Sequence, residues 1–293
     1  MMKNVFFFTI YIVFFAVCSS IIFSILYMQF DEQPMLALNK AIKYGTILLC
    51  IIFIMPAIKL QNIYSKKKLG FGEKRIIFLK NIFKGFLFSI VLSLPLLIMM
   101  FAFKIREINF SLILFDLYFF LSLLLITFLS FLIAFIEESF FRGILVQKSE
   151  SILNTFFIII LSALVYSVFH FLKIPLIIDE NLVWYTGLNE LYNLFSNLFS
   201  LISYDAALTL FLFGILLSII RINFKSIAYC IGIHAGFIFV IKLVRQNSTV
   251  NFESGLDFLL SPYDHFTGYL SSGWIIILLL IFSLIIYKKS FSN

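Results

Sequence analysis

Cysteine is scarce in this sequence and badly placed for covalent or metal chemistry. Cys18, Cys50 and Cys230 are the only three, each lies inside an apolar run, and no CxxC or paired spacing occurs. A disulfide framework and a thiolate metal site therefore have no support. Charge is scarce as well: Asp, Glu, Lys and Arg make up 13% of the 293 residues, against 62% hydrophobic residues, and the mean hydropathy is +1.08. A water-soluble globule, whose apolar content is nearer half, does not have this composition. Also missing is the alternation of period two that marks barrel strands; apolar stretches of about 20 residues recur instead. The fold class is therefore all-α, a polytopic membrane helical bundle, read as a single integral membrane domain over residues 1–293. No internal repeat or low-complexity tract is present beyond the apolar bias.

Eight spans are predicted: Val5 to Met28, Ala41 to Ile58, Gly85 to Phe103, Leu117 to Val146, Ile152 to Leu172, Ala206 to Ile220, Ser226 to Val244 and Gly273 to Tyr287. The fourth is long enough to tilt or to run past the hydrocarbon. The net charge of +7 argues for lipid headgroups and topology rather than nucleic acid, because the basic residues sit in short clusters between apolar runs. Lys66, Lys67, Lys68, Lys74, Arg75 and Lys80 mark residues 59–84 as cytoplasmic. Alternation from there puts both termini inside a cell membrane, and Asp31, Glu32, Asp179, Glu180, Asp257 and Asp264 outside. Between the fifth and sixth spans, polar and apolar residues over 188–203 alternate at helical spacing, which predicts an amphipathic helix at the interface or over the bundle.

Histidine is the third scarcity, and an informative one. Of three in the chain, His170 and His234 fall within predicted spans, together with Glu137, Glu138 and Arg142 near the end of the fourth. A carboxylate or guanidinium at mid-bilayer costs roughly 2.5 to 3.5 kcal/mol on insertion scales, so such groups persist by pairing or by lining a wet cavity. Glu138 and Arg142 are four residues apart and can pair on one helix face. Glu137 points about 100° away from Glu138 and lacks that partner, which suits a base acting on water. Ser162, Tyr166 and His170 form one stripe at four-residue spacing. His234 lies in Gly232-Ile233-His234-Ala235-Gly236, whose small residues permit close helix approach. HExxH is absent, so zinc has no motif and no cofactor is expected; two His and two Glu could still hold a divalent metal, a reading that chelator sensitivity would favour.

The run Glu137-Glu138-Ser139-Phe140-Phe141-Arg142-Gly143-Ile144-Leu145 resembles the EExxxR motif of the CPBP family. These are the CAAX-prenyl-protease and bacteriocin-processing intramembrane endopeptidases, also called Abi or Rce1-like. Tyr166-Ser167-Val168-Phe169-His170 is similar to the family's FxxxH, with Tyr in place of Phe, and His234 matches the histidine two spans later. Ile238 stands where the family usually carries Asn or Asp. The resemblance covers about residues 117–244. It implies that Glu137 and His170 position and deprotonate the attacking water, that His234 helps stabilise the oxyanion, and that Glu138 and Arg142 support the site, with Tyr166 beside them. The substrate would be a membrane-associated, lipid-anchored or prenylated peptide. A proton-coupled transporter and a non-catalytic immunity or scaffold protein of the same fold are the rival readings, the first weakened by the lack of inverted repeats, the second resting on Ile238.

Overall fold

The structure is a computed structural model that describes residues 2–30, 36–109, 117–146, 151–175, 177 and 182–291. Asp31, Glu32, Asp179 and Glu180, four of the acidic residues expected on the outer face, are not among the described residues. Runs of Leu, Ile and Phe this long satisfy their backbone polar groups within the segment by coiling into helices, as hydrocarbon requires. In chain order the helices are α1 (Met2–Tyr27), α2 (Leu38–Leu60), α3 (Arg75–Ala102), α4 (Leu117–Glu138) and α5 (Ile152–Phe169). They continue with α6 (Thr186–Ser196), the four-residue α7 (Leu198–Leu201), α8 (Tyr204–Phe224), α9 (Ala228–Asn247) and α10 (Tyr269–Phe291). Among the described residues, eight helices are long and apolar enough to cross a membrane, at the eight places predicted.

Three differences from the expected pattern have physical causes. The third helix begins at Arg75, ten residues before the predicted Gly85, because Lys80 and Lys84 end the hydrocarbon stretch without breaking a helix. The fourth is not one uniform helix: α4 ends at Glu138 and the chain continues as a π-helical turn over Ser139–Leu145. A two-stranded antiparallel sheet also forms, β1 (Arg106–Ile108) on β2 (Ser248–Val250), from strands too short to leave a periodic signal.

The helices gather into two compact units. The first comprises Met1–Tyr64 and Val168–Ile202. Within it Ser19 Oγ donates to the Ile42 carbonyl at 2.8 Å, tying α1 to α2, and the Gly187 amide of α6 donates to Ser24 Oγ at 2.9 Å. The segment predicted to be amphipathic is helical as α6 and α7, separated at Asn197, with Leu191 and Leu194 buried and Tyr192 and Phe195 exposed beside Asn197.

The second unit comprises Ser65–Ser167 and Ser203–Asn293. Its centre is the crossing of α3 with α9, made close by glycine. A Cβ on Gly232 would stand 2.0 Å from the Ile82 carbonyl oxygen, one on Gly236 1.7 Å from Ser89 Oγ, and one on Gly85 2.8 Å from the Tyr229 carbonyl oxygen. Small residues let two backbones touch where hydrocarbon gives no hydrophobic drive to associate. Gly232→Ala must push α3 away, because the obstacle is backbone. We expect it to lower the detergent-solubilised protein's stability by about 1–3 kcal/mol, seen as a lower unfolding temperature; an unchanged temperature would show that the crossing has slack. At the far end of α9 the Arg106 guanidinium is buried. It donates Nε to Ser248 Oγ at 2.9 Å, Nη2 to the Ser248 carbonyl at 2.7 Å and Nη1 to the His265 carbonyl at 2.6 Å. This clasps the α9–α10 connection to the sheet.

Candidate active site

The last turn of α4 and the π turn carry three charged side chains, and the structure pairs two of them at once. Arg142 Nη1 donates to Glu138 Oε1 at 3.0 Å, with both side chains 0% exposed. Each charge offsets the burial cost of the other, which neither could bear alone. Arg142 Nη2 donates to the Gly214 carbonyl of α8 at 3.3 Å, and the guanidinium carbon lies 4.5 Å from the centre of the Tyr166 ring, a cation–π contact. The backbone of the same residue is held too, for its carbonyl accepts from Arg221 Nε at 3.0 Å. Arg221 is buried and also donates Nη2 to the Lys68 carbonyl at 2.7 Å. Its place within the last turn of a span is the available signal. The π turn widens the helix here, as such turns do at functional sites, and buries Phe141, Arg142, Gly143, Ile144 and Leu145 together.

Glu138 has a second partner that spacing along one helix could not reveal. His234 Nδ1, on α9, lies 2.8 Å from Glu138 Oε1. A carboxylate held by a guanidinium is an acceptor, so Nδ1 bears the hydrogen and the ring is fixed with Nε2 turned the other way. At Nε2 stand the Tyr166 hydroxyl at 3.3 Å and Glu137 Oε2 at 3.9 Å. The imidazole thus spans the angle between two adjacent carboxylates, one at each nitrogen. The Phe213 ring packs against it at 5.4 Å between centroids. Glu138 is 0% exposed while Glu137 is 28% exposed, so the two adjacent carboxylates differ in burial.

The structure therefore brings Glu137, Glu138, Arg142, Tyr166 and His234 together in one unit. The stripe on α5 faces this cluster through Ser162 and Tyr166, since Ser162 Oγ donates to the Phe141 carbonyl at 3.3 Å. His170 directly follows Phe169, the last residue of α5, is half-buried, and belongs to the first unit. Ile238 packs with Ala134, Ile231 and Ala235 and offers hydrocarbon only. His265 is exposed and its ring contacts Phe252. Among the described residues no group of three or more His, Cys, Asp and Glu is placed to share a metal ion.

Comparison with known proteins adds one finding. Residues 119–240 match the family model described as type II CAAX prenyl endopeptidase Rce1-like. No curated protein and no solved structure matches the chain. The matched stretch contains α4 from its third residue, the π turn, α5, α8 and most of α9, and so every side chain of the cluster around His234. The match at residues 119–240 is consistent with a domain of the Rce1-like family, a family of CAAX-type intramembrane proteases, within a chain of eight apolar helices long enough to cross a membrane.

Proposed function

We propose that this protein is a glutamate-type intramembrane endopeptidase that hydrolyses a peptide bond in a membrane-associated or lipid-anchored substrate. The observation that carries the reading is the His234 imidazole fixed by buried Glu138 at one nitrogen and flanked by reachable Glu137 at the other. In this reading Glu137 takes a proton from water. The water oxygen bonds to the scissile carbonyl carbon, and negative charge develops on the carbonyl oxygen. Glu137 then returns the proton to the amide nitrogen as the carbon–nitrogen bond breaks, so that an acid and an amine leave. His234, oriented by Glu138 behind it, stabilises the oxyanion. Arg142 holds Glu138 in place, and Tyr166 completes the ring's orientation. The site lies in a cell membrane with both termini cytoplasmic, a topology supported by the basic residues of 59–84.

The test compares membrane-fraction peptides from cells expressing the wild-type protein and Glu137→Gln. Peptides shortened only in the wild-type sample, with their intact precursors accumulating beside the variant, are the expected result, and the cut ends would give the scissile bond. Identical peptide sets would remove the proposal.

A further inference from the structure

Residues 65–84 carry seven cations against one acid, Glu73. That acid is turned inward: Glu73 Oε1 accepts from Asn81 Nδ2 at 3.1 Å and Oε2 from Ser226 Oγ at 2.9 Å. All seven cations are exposed, and none has a carboxylate partner among the described residues. So much unneutralised charge on one surface draws anions. The length of α3 indicates which. Its 28 residues span about 42 Å at 1.5 Å per residue, against a hydrocarbon core of about 30 Å, and the excess falls at the charged end, among headgroups. There Lys80 and Lys84 are interleaved with Ile76, Ile77 and Phe83, all exposed. Ammonium and hydrocarbon on one outer surface match a phospholipid, which offers a phosphate and an acyl chain together.

The backbone beneath these charges is joined to the π turn. Residues 66–70 form a tight turn, in which the Leu69 amide donates to the Ser65 carbonyl at 3.0 Å, Gly70 to Lys67 at 3.2 Å and Phe71 to Lys66 at 2.8 Å. Gly70 has a φ of +86°, and a Cβ there would lie 2.8 Å from Ile227 Cγ2 and 3.0 Å from Arg221 Nε, so glycine alone lets the turn seat this closely. The Ile227 amide donates to the Gly70 carbonyl at 3.2 Å, which brings exposed Lys225 to the same surface. Arg221 holds the Lys68 carbonyl with Nη2 and the Arg142 carbonyl with Nε, so one guanidinium links the lysine turn to the π turn. A Cβ on Gly143 would stand 3.1 Å from the Leu69 carbonyl oxygen, a second point of contact. The turn is the floor on which Arg142 rests, and Arg142 in turn holds Glu138.

We propose that the turn bearing Lys66, Lys67 and Lys68, with Lys74, Arg75 and Lys225 beside it, binds anionic phospholipid headgroups, and that their binding steadies the π turn. The proposal goes beyond peptide hydrolysis and does not rest on it. Three consecutive ammonium groups gathered in one turn repel each other, which favours opening of the turn. Phosphates remove that repulsion and bind the ordered turn in preference to the opened one, so they stabilise it by linkage. Because the Lys68 and Leu69 carbonyls are the contacts to Arg221 and Gly143, steadying the turn also steadies Ser139–Leu145.

The experiment places the full-length protein in nanodiscs of phosphatidylcholine alone or of phosphatidylcholine mixed with phosphatidylglycerol, and follows backbone hydrogen exchange. With phosphatidylglycerol, exchange of the Leu69, Gly70 and Phe71 amides and of amides within Ser139–Leu145 should slow at least about fivefold, roughly what one lysine contributes at an anionic surface. The triple variant Lys66→Gln, Lys67→Gln, Lys68→Gln keeps every backbone contact; it should exchange no faster than the wild-type protein in phosphatidylcholine and should lose the slowing. The triple variant Lys40→Gln, Lys43→Gln, Lys104→Gln removes as much charge from exposed positions outside the patch and should retain it. Inorganic phosphate added to phosphatidylcholine discs should change nothing. Equal exchange in the two lipids, slowing confined to residues 69–71, a persistent response without Lys66, Lys67 and Lys68, or a response lost in the control variant overturns the proposal. Slowing by inorganic phosphate alone overturns it too, by assigning the turn to a soluble anion.

Discussion

Glu137→Gln, purified and reconstituted, should cleave at least about a thousandfold more slowly than the wild-type protein while binding substrate and unfolding at the same temperature. The substitution is nearly isosteric and removes only the ability to take and return a proton. General acid–base catalysis is worth about 10²–10⁴ in rate, and the neighbouring carboxylate cannot replace Glu137, because Glu138 is sealed between Arg142 and His234. Because Glu137 is 28% exposed, the change costs little in folding. A variant that unfolds early would mean that Glu137 holds the helices together; one that cleaves at the wild-type rate would mean that the base lies elsewhere. The measurement is single-turnover cleavage beside a thermal unfolding trace.

The second large effect is on stability. Arg142→Leu leaves the Glu138 charge buried with His234 as its remaining partner, and strips the Gly214 carbonyl of its donor. Breaking a buried pair from one side costs about 3–5 kcal/mol, enough to unfold a marginal protein. The double variant Glu138→Leu, Arg142→Leu separates support from chemistry. Hydrophobic replacement of a whole buried pair is often neutral or stabilising, so much of the unfolding temperature should return. Cleavage should not, because His234 Nδ1 then has no carboxylate to fix its tautomer. A double variant that regains both would show that Glu138 serves the fold alone.

Much of this is legible in the chain itself. The eight spans come from apolar length, which hydrocarbon thickness makes a hard constraint, and the pairing of Glu138 with Arg142 comes from helical spacing. Glu137 is separable from Glu138 by angle alone. Tyr166, in place of the motif's Phe, brings a hydroxyl that the structure finds at His234. Spacing cannot supply the partner across helices: the Glu138–His234 bond joins residues 96 apart in sequence, and no periodicity along α4 or α9 encodes it. Arg221 is ambiguous in sequence, because a cation at the end of a span serves equally well as a topology marker and as a buried donor to loop carbonyls. The π turn leaves no specific signal either, because the one weak helix former in Ser139–Leu145, Gly143, does not distinguish a π turn from an α-helix that tolerates a glycine.

That π turn has a consequence for chain length. A π turn accommodates one residue more than an α turn of the same rise, and so behaves as an insertion absorbed without a loop. Removing one residue from Ser139–Leu145 would let the segment relax into α-helix with the chain beyond it still in register, and would turn residues inside the segment onto other faces. Arg142 would then swing away from Gly214, or its carbonyl from Arg221. The number of residues between Glu138 and Val146 is therefore held more tightly than the identity of several of them: side chains such as Phe140 can vary, but the count cannot.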